Sequence, residues 1–240
     1  MREASVAREE PPARDALAVY RDLAGMGSRP ALTWYGRDGR IELSGRVAAN
    51  HMAKIAGYLL DEVWLEPGAR LRLALPAHWK QVLWAMGGLL AGAHVECEGV
   101  TDDRHEGAAY AVVACDHQRL SDLATSAEAD EVLALDLASL ATSWTGPPLP
   151  AGVRDAAAEV MGAPDALVDE HAHAASNASR WQAADPLHPS AGPLGALLVA
   201  PEPELAISAA LGLLGRERLV VVDDESQAER IRKAERLERA

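Results

Sequence analysis

Apolar positions along the 240-residue chain change period several times, and each change marks an element. Over residues 15–25, Leu17, Tyr20 and Leu23 fall on one helical face. From residue 30 the period drops to two: Ala31, Thr33 and Tyr35 alternate with Leu32 and Trp34, which predicts a strand. Gly36-Arg37-Asp38-Gly39 supplies turn chemistry and residues 41–43 a returning strand, so a hairpin is expected. Ser44 carries the side chain of a helix N-cap. From Gly45 to about Asp61 the stripe Val47, Met52, Ile55, Leu59 and Leu60 predicts an amphipathic helix.

Pro67-Gly68 makes the next turn, and Leu71, Leu73 and Leu75 alternate as a strand that Pro76 ends. HWKQVLWAMGGLLAGA, residues 78–93, is apolar almost all round, the pattern of a buried helix, and His94-Val95-Glu96 begins another strand. Strand, helix and strand within about thirty residues form a βαβ unit, so parallel pairing is expected. The rhythm continues with a small-apolar strand over 110–115, a short helix over 117–126 and a strand over 131–135. A Pro/Gly-rich loop over 143–152 leads to a short helix over 153–161. Residues 165–193, rich in Ala, His, Ser and Pro, show no period. A strand over 195–200, a helix, a strand over 218–222 and a terminal helix from Ser226 close the chain. That last helix is charged on nearly every face and reads as a solvated end, with a short interaction helix as the alternative. The expected fold is α/β, a mostly parallel sheet flanked by helices on both faces. It forms a single domain over residues 1–240 with an irregular region at about 165–193.

Charge narrows the function classes. The net charge is −13. Phosphate contacts from Lys and Arg supply most nucleic-acid affinity, so an acidic chain without a basic cluster argues against DNA, RNA and anionic membranes. Lysine occurs only at Lys54, Lys80 and Lys233 and phenylalanine not at all, which a GC-rich coding sequence explains without reference to function. Cys97 and Cys115 lack metal-ligand spacing and read as small buried thiols. The opening MREASVAREEPPARD is polar, and the uncharged apolar stretch 81–95 falls short of the roughly 20 residues a membrane helix needs. A soluble cytoplasmic protein is expected.

The order of motifs over residues 30–95 resembles the N-terminal part of the adenylate-forming superfamily, the acyl-CoA synthetases and AMP ligases. Pro67-Gly68-Ala69-Arg70-Leu71 stands where that family has PGDRV, Leu75-Pro76 where it has LPN, and Gly92-Ala93 closes the helix in the family manner. The match extends over 110–135 by rhythm only. In particular the chain resembles a short bacterial branch of the superfamily. The resemblance implies the fold of the first subdomain. It also implies a Gly/Ser/Thr-rich phosphate loop after a late strand, with a magnesium ion and a lysine from a C-terminal lid serving adenylate formation. The corresponding strand here is 195–200, and it runs directly into Pro201-Glu202-Pro203-Glu204. Two imino acids donate no N–H, and two carboxylates repel phosphate while favouring the positive end of the following helix. The resemblance further implies that residues 1–240 stop short of the family's second subdomain, and Lys233 fits no catalytic-lysine motif.

The remaining candidate chemistry is sparse. Asp169, His171 and His173 form the densest group of potential metal ligands, with His188 able to approach in a fold; a solvated polar loop is the plainer reading. Ser176, Ser179 and Ser190 lie near histidines, but none occupies a G-x-S-x-G elbow. Trp34, Trp79, Trp84 and Trp144 sit in apolar settings and are expected in the core, with Trp64 and Trp181 exposed. The expectation is therefore a non-catalytic relative of the acyl-CoA synthetases with a binding or interaction role, no ATP or AMP as cofactor, and no assigned catalytic or cofactor-binding residue. A homodimer would cover apolar surface that the family's missing half would otherwise meet. The alternatives are an AMP-ligase-like enzyme completed by a partner chain and, more remotely, a metal-dependent activity at Asp169, His171 and His173.

Overall fold

Local chemistry sets the first elements as expected. The Asp15 carboxylate accepts from Ala18 N at 2.7 Å and starts helix α1 (Ala16–Met26), which buries Leu17, Tyr20 and Leu23. In the computed structural model, which describes residues 15–97, 110–123, 129–138, 140–167 and 195–237, the hairpin is formed by β1 (Pro30–Gly36) and β2 (Gly39–Ser44). Ser44 Oγ accepts from Val47 N and caps α2 (Gly45–Asp61). Val47 itself is 41 % exposed, unlike the rest of its predicted stripe; Ala48 and Ala49 turn inward in its place.

β3 (Arg70–Ala74), α3 (Trp79–Leu90) and β4 (His94–Cys97) are the expected βαβ unit, with β3 and β4 paired in parallel. β5 (Tyr110–Cys115), α4 (Leu120–Leu123) and β6 (Ala129–Ala134) come next. The predicted helix over 153–161 divides: Val153–Asp155 is a strand, β7, and only Ala156–Glu159 is α-helical, α5, continued by a 3₁₀ turn. The division falls at Asp155, whose carboxylate accepts from Ala158 N and makes it an N-cap rather than a mid-helix residue. β8 (Ala196–Val199), α6 (Pro203–Leu213), β9 (Leu219–Val222) and α7 (Ala228–Ala234) complete the described chain.

The parallel α/β architecture is distributed over two sheets, ordered β2-β1-β9-β8 and β4-β3-β5-β6-β7. Among the described residues every ladder is parallel except the β1–β2 hairpin. The chain begins the first sheet, builds the whole of the second, and returns to complete the first. α3 is buried along its entire length, packed on α1, α2 and α6 and on β3 and β4. Two glycines permit that approach: a Cβ at Gly87 would collide with Ile55 of α2, and one at Gly88 with Leu71 of β3. The largest cluster of buried side chains accordingly draws Leu32, Trp34 and Val221 from one sheet and Leu71, Leu73 and Leu133 from the other.

The terminal helix is a correction to the solvated end expected of it. Leu219 and Val221 face the main core, whereas Val220 and Val222 face the other way, and Ile231 and Leu237 cover them. This alternation is why β9 reads as an unbroken apolar run. Glu235 accepts from the Tyr35 hydroxyl, from Arg40 Nε at 3.1 Å and from Arg218 Nη1 at 2.7 Å, which clamps α7 to β1, β2 and β9. Burial alone would raise the pKa of Glu235, but these donors hold it below the usual range. Among the described residues no helix is long and apolar enough to cross a membrane.

Candidate functional site

Open parallel sheets bind ligands beyond the carboxyl ends of their strands. At that edge of the second sheet β5 runs into Asp116 and His117, and β6 into Leu135 and Asp136. Asp116 Oδ1 accepts from Gln118 N and Arg119 N and turns the chain into α4. Asp136 is 1 % exposed and fully engaged. Its Oδ1 accepts from Ala138 N at 2.8 Å, and its Oδ2 from Thr145 N at 2.8 Å and Thr145 Oγ1 at 2.5 Å. His117 Nε2 lies 3.2 Å from the same Oδ2. A carboxylate accepts only, so Nε2 is the nitrogen that donates to it. Burial alone would raise the pKa of Asp136; the bonds from Thr145, Ala138 and His117 outweigh it and bring the value to about 2.

His117 is 39 % exposed on its side chain and lies flat on Trp144, ring centroids 3.8 Å apart at 12°. Trp144 is itself held by Nε1 donating to Pro147 O at 2.7 Å and by its backbone N donating to Asp155 at 2.9 Å. Gly146 closes over the imidazole so tightly that a Cβ there would enter the ring. Chemically, the arrangement presents a half-exposed imidazole whose tautomer and tilt are fixed by a buried carboxylate.

The start of α3 joins this edge to the first sheet. His78 Nδ1 accepts from Lys80 N and caps α3, which leaves Nε2 as a donor. Burial, with Lys80 nearby and only Asp38 opposing, lowers the His78 pKa to about 4, so the ring is neutral. His51, Trp79, His78 and Trp34 form a row of rings with successive centroids 5.9, 5.7 and 6.0 Å apart, reaching from α2 to β1. Lys80, 9 % exposed, donates to the carbonyls of Asp136, Ala138 and Ala141 at 2.5, 3.0 and 3.0 Å. Gln81 Nε2 donates to Pro203 O at 3.3 Å, linking α3 to the start of α6. Gln81 Oε1 and the Trp79 indole nitrogen are buried without a hydrogen-bond partner.

The β8–α6 junction shows how the loop singled out in the sequence is built. Ala200 adopts φ +42° and donates its N–H to Val222 O at 2.7 Å. Glu202 stands at the N-cap and Pro203 in the first turn, with Glu204 beside it. The Glu202 side chain makes no capping hydrogen bond, so its effect on the helix is one of charge alone.

Asp169, His171 and His173, with His188, Ser176, Ser179, Ser190 and Trp181, lie outside the described residues. Among the described residues no group of three or more His, Cys, Asp or Glu side chains could hold a metal. Cys97 and Cys115 are buried free thiols whose pKa burial pushes up to about 12. Trp34, Trp79 and Trp84 are in the core, Trp144 is half-buried, and Trp64 is 80 % exposed at φ +59°. Sequence reasoning missed His117, Asp136 and Lys80. A usable signal was present: an acid succeeds the apolar strand at both Cys115-Asp116 and Leu135-Asp136, the place where a parallel sheet presents its polar edge.

No family model matches the chain. The TIGR03089 family protein of Mycobacterium tuberculosis is 34 % identical over 148 residues, 59 % of this chain and 57 % of that protein. Among solved structures, the coronafacic acid ligase of Pectobacterium brasiliense superposes with a TM-score of 0.60 at 10 % identity, covering 91 % of this chain and 47 % of that one. The amide bond synthetase McbA of Marinactinospora thermotolerans gives 0.56 at 16 % identity over 92 % of this chain and 46 % of that one. An acyl-CoA synthetase of Brucella canis gives 0.51 at 20 % identity, covering 66 % and 29 %. At these identities the likeness is one of fold, and it is the fold that the motifs over residues 30–95 implied. The chain spans less than half the length of each of these structures.

Proposed function

We propose that this chain is a non-catalytic relative of the acyl-CoA synthetases and AMP ligases that serves in binding or interaction and does not form adenylates by itself. One observation carries the reading. Phosphate cradles at a strand–helix junction work by several convergent backbone N–H groups. Over 200–203 the Ala200 N–H is bonded to Val222 O and the two prolines have none, which leaves Glu202 alone. Carboxylates at Glu202 and Glu204 then oppose a polyanion at the same helix end. A binding role is supported by the unanswered acceptor of Gln81 and donor of Trp79 at the junction of the two sheets. Self-association is part of the reading. Trp64, a large aromatic held out in solvent, is the residue type most enriched at interface hot spots.

The second reading, an AMP-ligase-like enzyme completed by a partner chain, is supported by the likeness in fold to the coronafacic acid ligase and the amide bond synthetase, each covered to less than half. ATP–pyrophosphate exchange over a panel of carboxylates, with calorimetric titration of ATP into the isolated chain, separates the two. The first reading expects no exchange and no binding heat. Exchange, or tight ATP binding, overturns it in favour of the second. Light scattering at micromolar concentration is expected to give twice the monomer mass, and a clean monomer removes self-association from the proposal.

A further inference from the structure

Lysine is rare in this chain, three residues against twenty arginines, and two of the three are used in the same unusual way. Lys80 Nζ meets three backbone carbonyls, of Asp136, Ala138 and Ala141, at 2.5, 3.0 and 3.0 Å. Lys54 Nζ meets the carbonyls of Met161 and Ala163 at 3.0 and 2.5 Å and the Asp165 carboxylate at 2.8 Å. Each ammonium reaches out from a core helix and gathers oxygens of a loop that returns from the second sheet. An ammonium has three donors arranged around a point charge, which suits three convergent oxygens. Guanidinium is a flat fork and cannot direct three bonds to such a set.

The two cases differ in one respect. Around Lys54 one of the three oxygens belongs to a carboxylate that is itself largely exposed. Around Lys80 all three are carbonyls, the Lys80 side chain and Asp136 are buried, and the converging segment is the one that carries Asp136 and leads to Trp144 and Thr145. Inward-pointing carbonyls repel one another unless a cation sits among them, and rings of carbonyl dipoles are also how proteins replace the hydration shell of potassium. The side chain of Lys80 therefore plays the part of a tethered ion.

We propose that the carbonyl oxygens of Asp136, Ala138 and Ala141 form a monovalent-cation site whose resident cation is the Lys80 ammonium, and that free ammonium or potassium enters this site when the side chain is shortened. The cation sets the loop, and the loop in turn holds the Asp136 carboxylate against His117 and Thr145. The site is independent of whether the chain binds nucleotide, so its test does not share a failure with the reading above.

Thermal unfolding of wild type, Lys80→Ala, Lys80→Met and Lys80→Arg is compared in ammonium, potassium and choline chloride at equal ionic strength. The alanine variant should melt lower than wild type in choline, where the cation is too large to enter. It should regain at least half of that loss in ammonium and part of it in potassium. The His117 ring signals in NMR should return toward their wild-type positions in parallel. Lys80→Met keeps most of the side-chain volume without the charge and should show no such recovery. Lys80→Arg should not restore wild-type stability, and wild type should not distinguish the three salts. The proposal is overturned if Lys80→Ala is as stable as wild type or if its melting is the same in ammonium, potassium and choline. It also fails if wild type shows the same cation dependence, or if the alanine variant is unfolded in every salt.

Discussion

Asp136 concentrates the electrostatics of the carboxyl edge in one buried side chain. Its four hydrogen bonds close the loop from Asp136 to Thr145 and orient His117, and they hold its pKa near 2, below the 3.8 of an ordinary aspartate. A carboxyl group whose folded pKa is depressed contributes stability that is fully present above its unfolded pKa and is lost as pH falls through the folded one. For Asp136 that window runs from about pH 4 down to about pH 2. The contribution lost there is of order 1–2 kcal/mol, after allowance for the partly open surroundings of the His117 side. Asp136→Asn removes the charge and mismatches an amide to a set of donors. It should lower stability at neutral pH by about 1–3 kcal/mol. Urea unfolding of both proteins from pH 7 to pH 2 should show the difference between them shrinking through the acid window; a constant difference would mean that the charge of Asp136 contributes nothing to folding. Glu96 and Glu235 also have depressed pKa values, so the difference between the two proteins, rather than either curve, isolates Asp136.

At the scale of elements, α7 shows how a strongly charged sequence can be an integral layer. Among the described residues from 228 onward only Ile231 and, just past the helix, Leu237 are buried, but they meet Val220 and Val222, and Glu235 at the helix end supplies the polar clamp. Glu235→Gln weakens three charge-assisted contacts and Ile231→Ala removes most of the apolar one, the latter costing about 2–4 kcal/mol if α7 stays docked. Since α7 is docked by one small apolar contact and one polar clamp, its release is the easier response. Amide exchange over 228–237 should accelerate by at least tenfold in either variant, while β3, β5 and β6 keep their protection. Uniform acceleration across both sheets would show that α7 is not an independent layer. This helix also marks the limit of reading the chain locally. The hairpin, the Ser44 cap, α3 and the βαβ unit were legible because their signals lie within a turn or two of each residue. The pairing of β1 was not: its parallel neighbour is β9, from the other end of the described chain, with the second sheet built in between. β7 escaped notice because three residues that join a sheet edge look like the first turn of the helix after them. The meeting of His117 with Asp136 is of the same kind. Each residue lies just past the end of its own strand, and only the parallel β5–β6 register, with Cys115 opposite Ala134, brings them together.

Whether the whole molecule behaves as one unit is decided by the helix layer shared between the sheets. α3 contributes to both sides at once: Ile55 of α2 and Leu71 of β3 close on its two glycines, and Gln81 ties it to the start of α6. Two further links cross between segments far apart in the chain, Tyr58 to Glu159 at 2.9 Å and Lys54 to the carbonyls of Met161 and Ala163. Helices α1, α2 and α6 cover one side of α3, and β3 and β4 cover the other, so one half standing while the other unfolds would expose a face of α3 to water. At roughly 25 cal/mol per Å² of apolar surface, that exposure disfavours a state with one half folded, which bears the cost without the full chain entropy of complete unfolding. Unfolding in urea should therefore be a single transition, with far-UV circular dichroism and tryptophan fluorescence coinciding. Leu83→Ala, at the fully buried centre of α3, should shift both signals together by about 2–5 kcal/mol. Amide exchange in β1 and β9 should respond to it as strongly as exchange in β3 and β5. Two separated transitions, or a response confined to the sheet that contains β3, would divide the chain into two folding units and make the junction at His78 and Trp34 a boundary between domains rather than the interior of one.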